Sequence, residues 1–293
     1  LVAASMSAGS AFVGSAFSPI NPFQVTIAQK LAELPALSAA GFRIVFLVLA
    51  LTFWVGMTMR YAARTLGAAE SGSDGDAAGV SRADWGIFGL VGVTFAILVV
   101  GMLRWGWDFN QMSAAFFTMG LIVGAVSGMG FSGTAEAYVK GFRGMAYAGI
   151  LIGFARAIYV VLQDGRIVDT IVHGMFTPLE GLPVLASSLG MIVAQALIHV
   201  PVPSVSGQAV LTMPVLVPLS DLLGMSRQIT VLAYQYGAGL CDLVTPTNGA
   251  LMAILAAAGV RYEDWMKFTV PLYAGLVALG AASIAVAIMI GLA

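Results

Sequence analysis

The chain has 293 residues, 59% of them hydrophobic and 9% charged, with a net charge of −1. A soluble globular domain carries about 25% charged residues, so a mean hydropathy of +0.95 assigns this chain to a bilayer, and its charge balance argues against a nucleic-acid partner. Cys241 is the single cysteine, which excludes an internal disulfide and a cysteine metal cluster, and no CxxC, HExxH, GxGxxG or Walker-type loop is present.

Leu1 lies inside an apolar run with no basic segment before it and no signal-peptide pattern, so an N-terminally truncated fragment is expected. Residues 2–17 have the small-residue composition of a helix packed tightly against others. Ser18-Pro-Ile-Asn-Pro22 breaks that helix, Phe23 to Leu34 forms a half-helix, and Pro35 to Ala40 connects it to a long apolar run, Gly41 to Tyr61, able to span. Arg60 and Arg64 close that span, and residues 65–83 read as a flexible cytoplasmic loop.

Trp85 to Leu103 is the next span, ending in an aromatic belt of Trp105 and Trp107. Ser113 to Phe131 follows as another. Glu136, Lys140 and Arg143 mark a polar connector, and Met145 to Leu162 spans again with Arg156 inside it. Ile167 to Phe176 is short and amphipathic. Leu185 to Val200 is apolar, Pro201 to Gln208 interrupts it, and Ala209 to Leu223 is apolar again but carries Pro214 and Pro218. That second arm falls short of the roughly 20 residues needed to cross, so the pair reads as a re-entrant hairpin around a polar tip.

Arg227 to Val244 leads to a second break, Thr245-Pro-Thr-Asn-Gly249, then a short helix, Ala250 to Gly259, and a final span, Phe268 to Ile290. Both breaks are hydroxyl-Pro-x-Asn after small residues, and both precede a short helix, a connector and a long apolar helix. Asn21 stands 22 residues before Arg43, and Asn248 stands 19 before Lys267. Two copies in one context read as an internal repeat. With the 65–83 loop inside, Lys and Arg at 60, 64, 82, 140, 143, 261 and 267 lie inside, and those at 30, 43, 104, 166 and 227 lie outside. The two broken helices then run in opposite directions, as inverted repeats.

Pro203-Ser-Val-Ser-Gly-Gln-Ala209, Leu211-Thr-Met-Pro-Val215, Val244-Thr-Pro-Thr-Asn-Gly249 and Tyr262-Glu-Asp-Trp-Met-Lys-Phe268 resemble motifs of the YfcC branch of the DcuC-type (C4-dicarboxylate anaerobic carrier-like) family, within the ion-transporter superfamily. Ser18-Pro-Ile-Asn-Pro-Phe23 and Gly165-Arg-Ile-Val-Asp-Thr170 are similar to motifs of the same branch. The resemblance covers nearly the whole chain. It implies a bacterial inner-membrane secondary transporter whose inverted repeats each hold one re-entrant hairpin and one broken helix, with substrate between their tips. The superfamily implies a homodimer. Family members are longer and carry a first hairpin that is absent here, and the branch includes carriers of four-carbon dicarboxylates and of basic amino acids.

Broken helices hold substrates and coupling ions in secondary transporters, which nominates Ser18 and Asn21 at the first break and Thr245, Thr247 and Asn248 at the second. Ser204, Ser206, Gly207 and Gln208 supply hydroxyls, an amide and helix-end N–H groups at the hairpin tip. Carbonyls near Val244 and Thr245 are candidate Na⁺ ligands, and no other metal or cofactor is expected. Asp242, one turn before the break, is a candidate cation ligand or proton carrier. Arg156 would neutralise a substrate carboxylate or pair with Asp242, although snorkelling or a structural ion pair explains it equally simply. His199 is a candidate for proton coupling, with a capped structural histidine as the plainer reading.

The expectation is an all-α polytopic transmembrane protein, not an enzyme: residues 1–64 as the remainder of one inverted repeat, 65–83 as a loop, and 84–293 as a second repeat with a hairpin (185–223) and a broken helix (227–259). Its function is secondary active transport of a C4-dicarboxylate or an amino acid, driven by Na⁺, H⁺ or exchange. A channel and an intramembrane hydrolase are the alternatives; no nucleophile-elbow pattern supports the latter.

Overall fold

The computed structural model of the chain describes residues 1–35, 37–66, 82–107, 109–179 and 181–292. Among the described residues there are helices and turns but no strand, so the fold is all-α. Most of the loop read at 65–83 lies outside the described residues. The chain divides into two compact units, one of Leu1–Ala68 with Tyr147–Ala293 and one of Ala69–Ala146.

In the first unit, α1 (Val2–Phe17) contains a π turn at Ser5–Gly9 and ends at the Ser18–Pro22 break, after which α2 (Val25–Leu31) is a short half-helix. The long α3 (Ala40–Leu66) follows. Phe46, Ala50, Trp54 and Thr58 recur at four-residue spacing and are buried, while Ile44, Val45, Val48, Leu49, Val55 and Met59 are exposed. A helix whose outward face is this apolar faces lipid rather than water. Within the π turn the Ser5 carbonyl, which accepts from the Ser10 N–H, also accepts the Trp54 indole N–H at 3.1 Å, and the Ser5 hydroxyl lies 2.7 Å from that of Thr58.

In the second unit, α4 (Arg82–Trp105) and α5 (Phe109–Val126) pack against each other, with Phe95 and Phe116 ring centroids 5.7 Å apart. Then α6 (Gly130–Asp164) runs through 35 residues. This corrects the expectation of a connector around Glu136, Lys140 and Arg143. Those charges sit exposed on a continuous helix that no proline interrupts. The preceding span ends at Val126 rather than Phe131, where Gly128 and Gly130 take positive φ.

The first unit resumes with α7 (Val168–Phe176) and the hairpin: α8 (Val184–His199) and α9 (Val205–Leu222). The tip is tighter than expected. Ser204 caps α9, its hydroxyl accepting from the Gly207 N–H, so Val205 to Gln208 are helical and Pro214 and Pro218 are carried within an 18-residue helix. That length makes α9, with α3 and α12, one of three described helices long and apolar enough to cross a membrane. The second broken helix is α10 (Arg227–Tyr234), a π turn at Gln235–Gly239 and a break through residues 242–248. It continues as α11 (Gly249–Ala257), and α12 (Tyr262–Met289) closes the fold.

The second π turn is buried on every side. A Cβ on Gly237 would stand 2.6 Å from the Ile192 carbonyl, and one on Gly239 would stand 2.3 Å from Gln24 Nε2. Only glycine lets this backbone pass between α8 and the first broken helix. Here too the first carbonyl of the π turn takes a side-chain donor: Gln235 O accepts from Gln24 Nε2 at 3.0 Å.

Candidate functional site

The hairpin tip and the second break meet. Thr247 Oγ1 donates to the Val200 carbonyl at 3.0 Å, which joins the end of α8 to the unwound segment. Beneath that contact lies a chain of polar side chains. His199 Nε2 is 2.8 Å from Asp242 Oδ1, and His199 Nδ1 is 2.8 Å from Gln208 Oε1. Asn248 Nδ2 donates to the same Asp242 oxygen at 2.6 Å, while Asn248 Oδ1 caps α11 by accepting from Leu251 N–H at 3.1 Å. Gln208 Nε2 donates to the Gln195 carbonyl at 2.7 Å, Gln195 Nε2 donates to Thr212 Oγ1 at 2.8 Å, and Thr212 Oγ1 donates back to the Gln208 carbonyl at 2.9 Å. Buried polar groups are retained when each finds a partner, and this network is paired from end to end.

Of the residues nominated from sequence, Ser204, Ser206, Gly207 and Gln208 therefore stand at the start of α9, and Gln208 is joined through His199 to Asp242 and Asn248 at the break. Thr245 turns the other way, its hydroxyl donating to the Cys241 carbonyl at 2.7 Å. The carbonyls nominated for Na⁺ carry protein donors: Val244 O accepts from the Tyr262 hydroxyl at 2.5 Å and Thr245 O from the Asn248 N–H at 3.1 Å, and the adjacent Leu243 O accepts from Trp265 Nε1 at 2.8 Å. The side chain of Arg156 lies outside the described residues; Asp242 is paired by His199.

Ser18 and Asn21 form a separate cluster. Ser18 Oγ accepts from Ile20 N–H at 3.1 Å, Asn21 Oδ1 accepts from Phe23 N–H at 2.9 Å, and Asn21 Nδ2 donates to Ser15 Oγ. Gln235 links this break to the second broken helix by donating to the Ser18 carbonyl at 3.1 Å.

Sequence reasoning missed Arg43, read as a charge at an outer helix end. It is 1% exposed. Its Nε donates to Gln235 Oε1 at 2.9 Å, Nη2 to Gln228 Oε1 at 3.1 Å, and Nη1 to the Ser38 carbonyl at 2.7 Å. Among the described residues no carboxylate pairs with it. A signal existed: Arg43 falls three, seven, eleven and fifteen residues before Phe46, Ala50, Trp54 and Thr58, on the stripe that α3 buries.

A broken helix, a polar hairpin start and a buried charged network inside an apolar helical protein are the parts of a carrier rather than of an active site. The family model of the C4-dicarboxylate anaerobic carrier, DcuC, matches residues 1–289. The chain belongs to the DcuC family. It is 32% identical to the Escherichia coli (strain K12) protein named "Putative basic amino acid antiporter YfcC", the match covering 87% of this chain and 55% of that protein. It is 30% identical to a Haemophilus influenzae (strain Rd) protein, over 92% of this chain and 56% of the relative. The chain thus spans about half the length of the curated relatives it matches. No solved structure matches it. DcuC-family membership and the lipid-facing helices make it a membrane protein of a carrier family, not an enzyme.

Proposed function

We propose that the chain is part of a secondary active transporter, a multi-pass protein of the bacterial inner membrane that moves a small carboxylate-bearing solute by alternating access. The observation that carries this reading is the tie between the hairpin tip and the second break, each of which leads into a capped helix N-terminus. Thr247 ties the hairpin tip to the break, and beside that tie α9 starts behind Ser204 and α11 starts behind Asn248. Helix N-termini present N–H groups and the positive end of the helix dipole, which suits a carboxylate. Ser206, Gly207 and Thr247 are partly exposed there, so they line the substrate side, while Asp242 and Gln208 hold the scaffold behind.

The inverted-repeat reading is supported by the same local design in both broken helices: a π turn whose first carbonyl accepts a side-chain donor, ahead of a Pro-x-Asn break. In this scheme α8 and α9 form a re-entrant hairpin that moves against a scaffold, the Ser18–Asn21 break serves a twin site, and the coupling ion is H⁺ or Na⁺. Homodimerisation belongs to the same proposal. Of the two solute classes, a dicarboxylate fits better, because the carboxylate of Asp242 is already engaged by His199 and Asn248 and is not free for a cationic side chain.

The test is counterflow of labelled succinate and labelled arginine into liposomes holding the full-length protein, with and without a Na⁺ gradient. Saturable succinate counterflow is the expected result. Arginine counterflow without succinate counterflow would transfer the assignment to basic amino acids, and single-channel currents would replace the carrier with a pore.

A further inference from the structure

His199 and Asp242 are 43 residues apart in sequence and 2.8 Å apart in space, with side-chain exposures of 0% and 12%. The hydrogens around them follow from neighbours whose roles are fixed. The Gln195 carbonyl can only accept, so Gln208 turns its Nε2 toward it and its Oε1 toward His199. Nδ1 of His199 therefore carries a hydrogen. On the other side the Leu251 N–H can only donate, so Asn248 turns Oδ1 toward it and donates Nδ2–H to Asp242 Oδ1. The remaining contact, Nε2 to Oδ1, needs one hydrogen more. That hydrogen sits on nitrogen as an imidazolium facing a carboxylate, or on oxygen as a carboxylic acid facing a neutral imidazole. Both forms leave the pair neutral and holding one transferable proton.

Without that proton a nitrogen lone pair would face a carboxylate oxygen, and a net negative charge would be left away from water. Neither is sustained at contact distance. His199 ends the first arm of the hairpin and Asp242 opens the break, so the proton is also what holds these two elements together. The titratable groups facing the pair are Tyr234 and Cys241 on the broken helix. The Tyr234 hydroxyl donates to the Val205 carbonyl, and the Cys241 thiol contacts the Ala196 carbonyl at 3.4 Å and Thr245 Oγ1 at 3.1 Å. From α8 and α9 the facing groups are the neutral Gln195, Gln208 and Thr212, from α11 it is Asn248, and among the described residues no lysine or arginine pairs with Asp242.

We propose that the His199–Asp242 pair is a proton-binding site that closes the hairpin tip onto the helix break, and that its proton is the ion coupled to transport, the latter resting on the carrier reading above. Taking up a proton from water closes the contact; releasing it to water opens the contact. Closure is therefore complete at low pH and lost as pH rises.

Hydrogen exchange on the full-length protein in liposomes tests this directly, with rates corrected for the intrinsic pH dependence of amide exchange. Raising pH from about 6 to about 9 should cost amides in 200–208 and 242–251 roughly tenfold or more of their protection. In His199→Gln and Asp242→Asn, neither of which can exchange that proton, protection of the same segments should stay constant with pH. Unchanged protection in the wild-type protein would overturn the proposal, whatever the fate of the variants. So would a wild-type pH response that survives in both variants. Counterflow run on the same liposomes separates the two readings: pH-dependent opening without counterflow of either solute keeps the proton site and removes the carrier, whereas counterflow without pH-dependent opening keeps the carrier and removes the proton site.

Discussion

Arg43 Nε donates to Gln235 Oε1 at 2.9 Å, joining the start of α3 to the π turn of the second broken helix across 192 residues of sequence. Gln235 in turn donates to the Ser18 carbonyl, so one guanidinium organises the first break through an amide. Its other donors satisfy Gln228 and Ser38. Replacing Arg43 with methionine keeps the bulk of the stem but leaves the Gln235 and Gln228 amide oxygens bare, while the Ser38 carbonyl keeps its bond from Gln29. We expect a loss of about 3 kcal/mol of stability, read as a fall in melting temperature in detergent. Arg43→Lys should fall between, since an ammonium restores charge but cannot fork to several acceptors.

Gly237 makes a sharper test of the packing. A methyl at that position meets the Ile192 carbonyl and Gln195 Cβ, both at 2.6 Å, and the carbonyl is helix backbone that cannot turn aside. Gly237→Ala should destabilise by about 1–3 kcal/mol and disturb the Gln195–Gln208 network behind the site. Gly174, within α7, has nothing within 4 Å of its would-be Cβ. Gly174→Ala should therefore be neutral or gain up to about 1 kcal/mol from helix propensity. Thermal melts of the two variants side by side check both signs.

The two breaks were legible because proline and glycine act locally: a missing N–H and a ring clash stop a helix wherever they fall. Pro214 and Pro218 show the limit of that rule, since α9 carries both within one helix once Ser204 caps its start. Helix faces were partly legible, as the stripe from Phe46 to Thr58 shows. What one sequence does not encode visibly is which stripe meets which. His199 and Asp242 each stood out as ionisable residues in an apolar chain, but their pairing depends on how α8 lies along the broken helix. The overlooked clue was the glutamines. Gln24, Gln29, Gln195, Gln208, Gln228 and Gln235 are all buried, and in an apolar helix each implies a polar partner on a neighbour.

Tyr262 and Trp265 hold the far side of the break. Their donors occupy the Val244 and Leu243 carbonyls, which the unwound helix would otherwise leave bare. Tyr262→Phe removes a hydroxyl with little change of shape and should cost about 1 kcal/mol. It should also raise amide exchange at residues 242–248 relative to α12, which distinguishes loosening of the break from general destabilisation.

Asn248 performs two tasks that can be separated. Its Oδ1 caps α11 and its Nδ2 donates to Asp242. Asn248→Ser keeps an N-cap oxygen but is too short to reach Asp242, so stability should stay within about 1 kcal/mol of the parent while solute uptake falls by roughly tenfold or more. Asn248→Asp keeps the cap and the length but sets a second carboxylate oxygen against Asp242, which like-charge repulsion disfavours; its uptake should be lower still and should recover partly at acidic pH, where one of the two carboxylates is protonated. Ser206→Ala, which leaves the network intact, should raise KM with a smaller effect on the maximal rate. Liposome uptake measured across solute concentration and pH distinguishes these outcomes. If Asn248→Ser and Ser206→Ala both transport with wild-type KM, rate and ion dependence, the solute does not bind between the start of α9 and the second break.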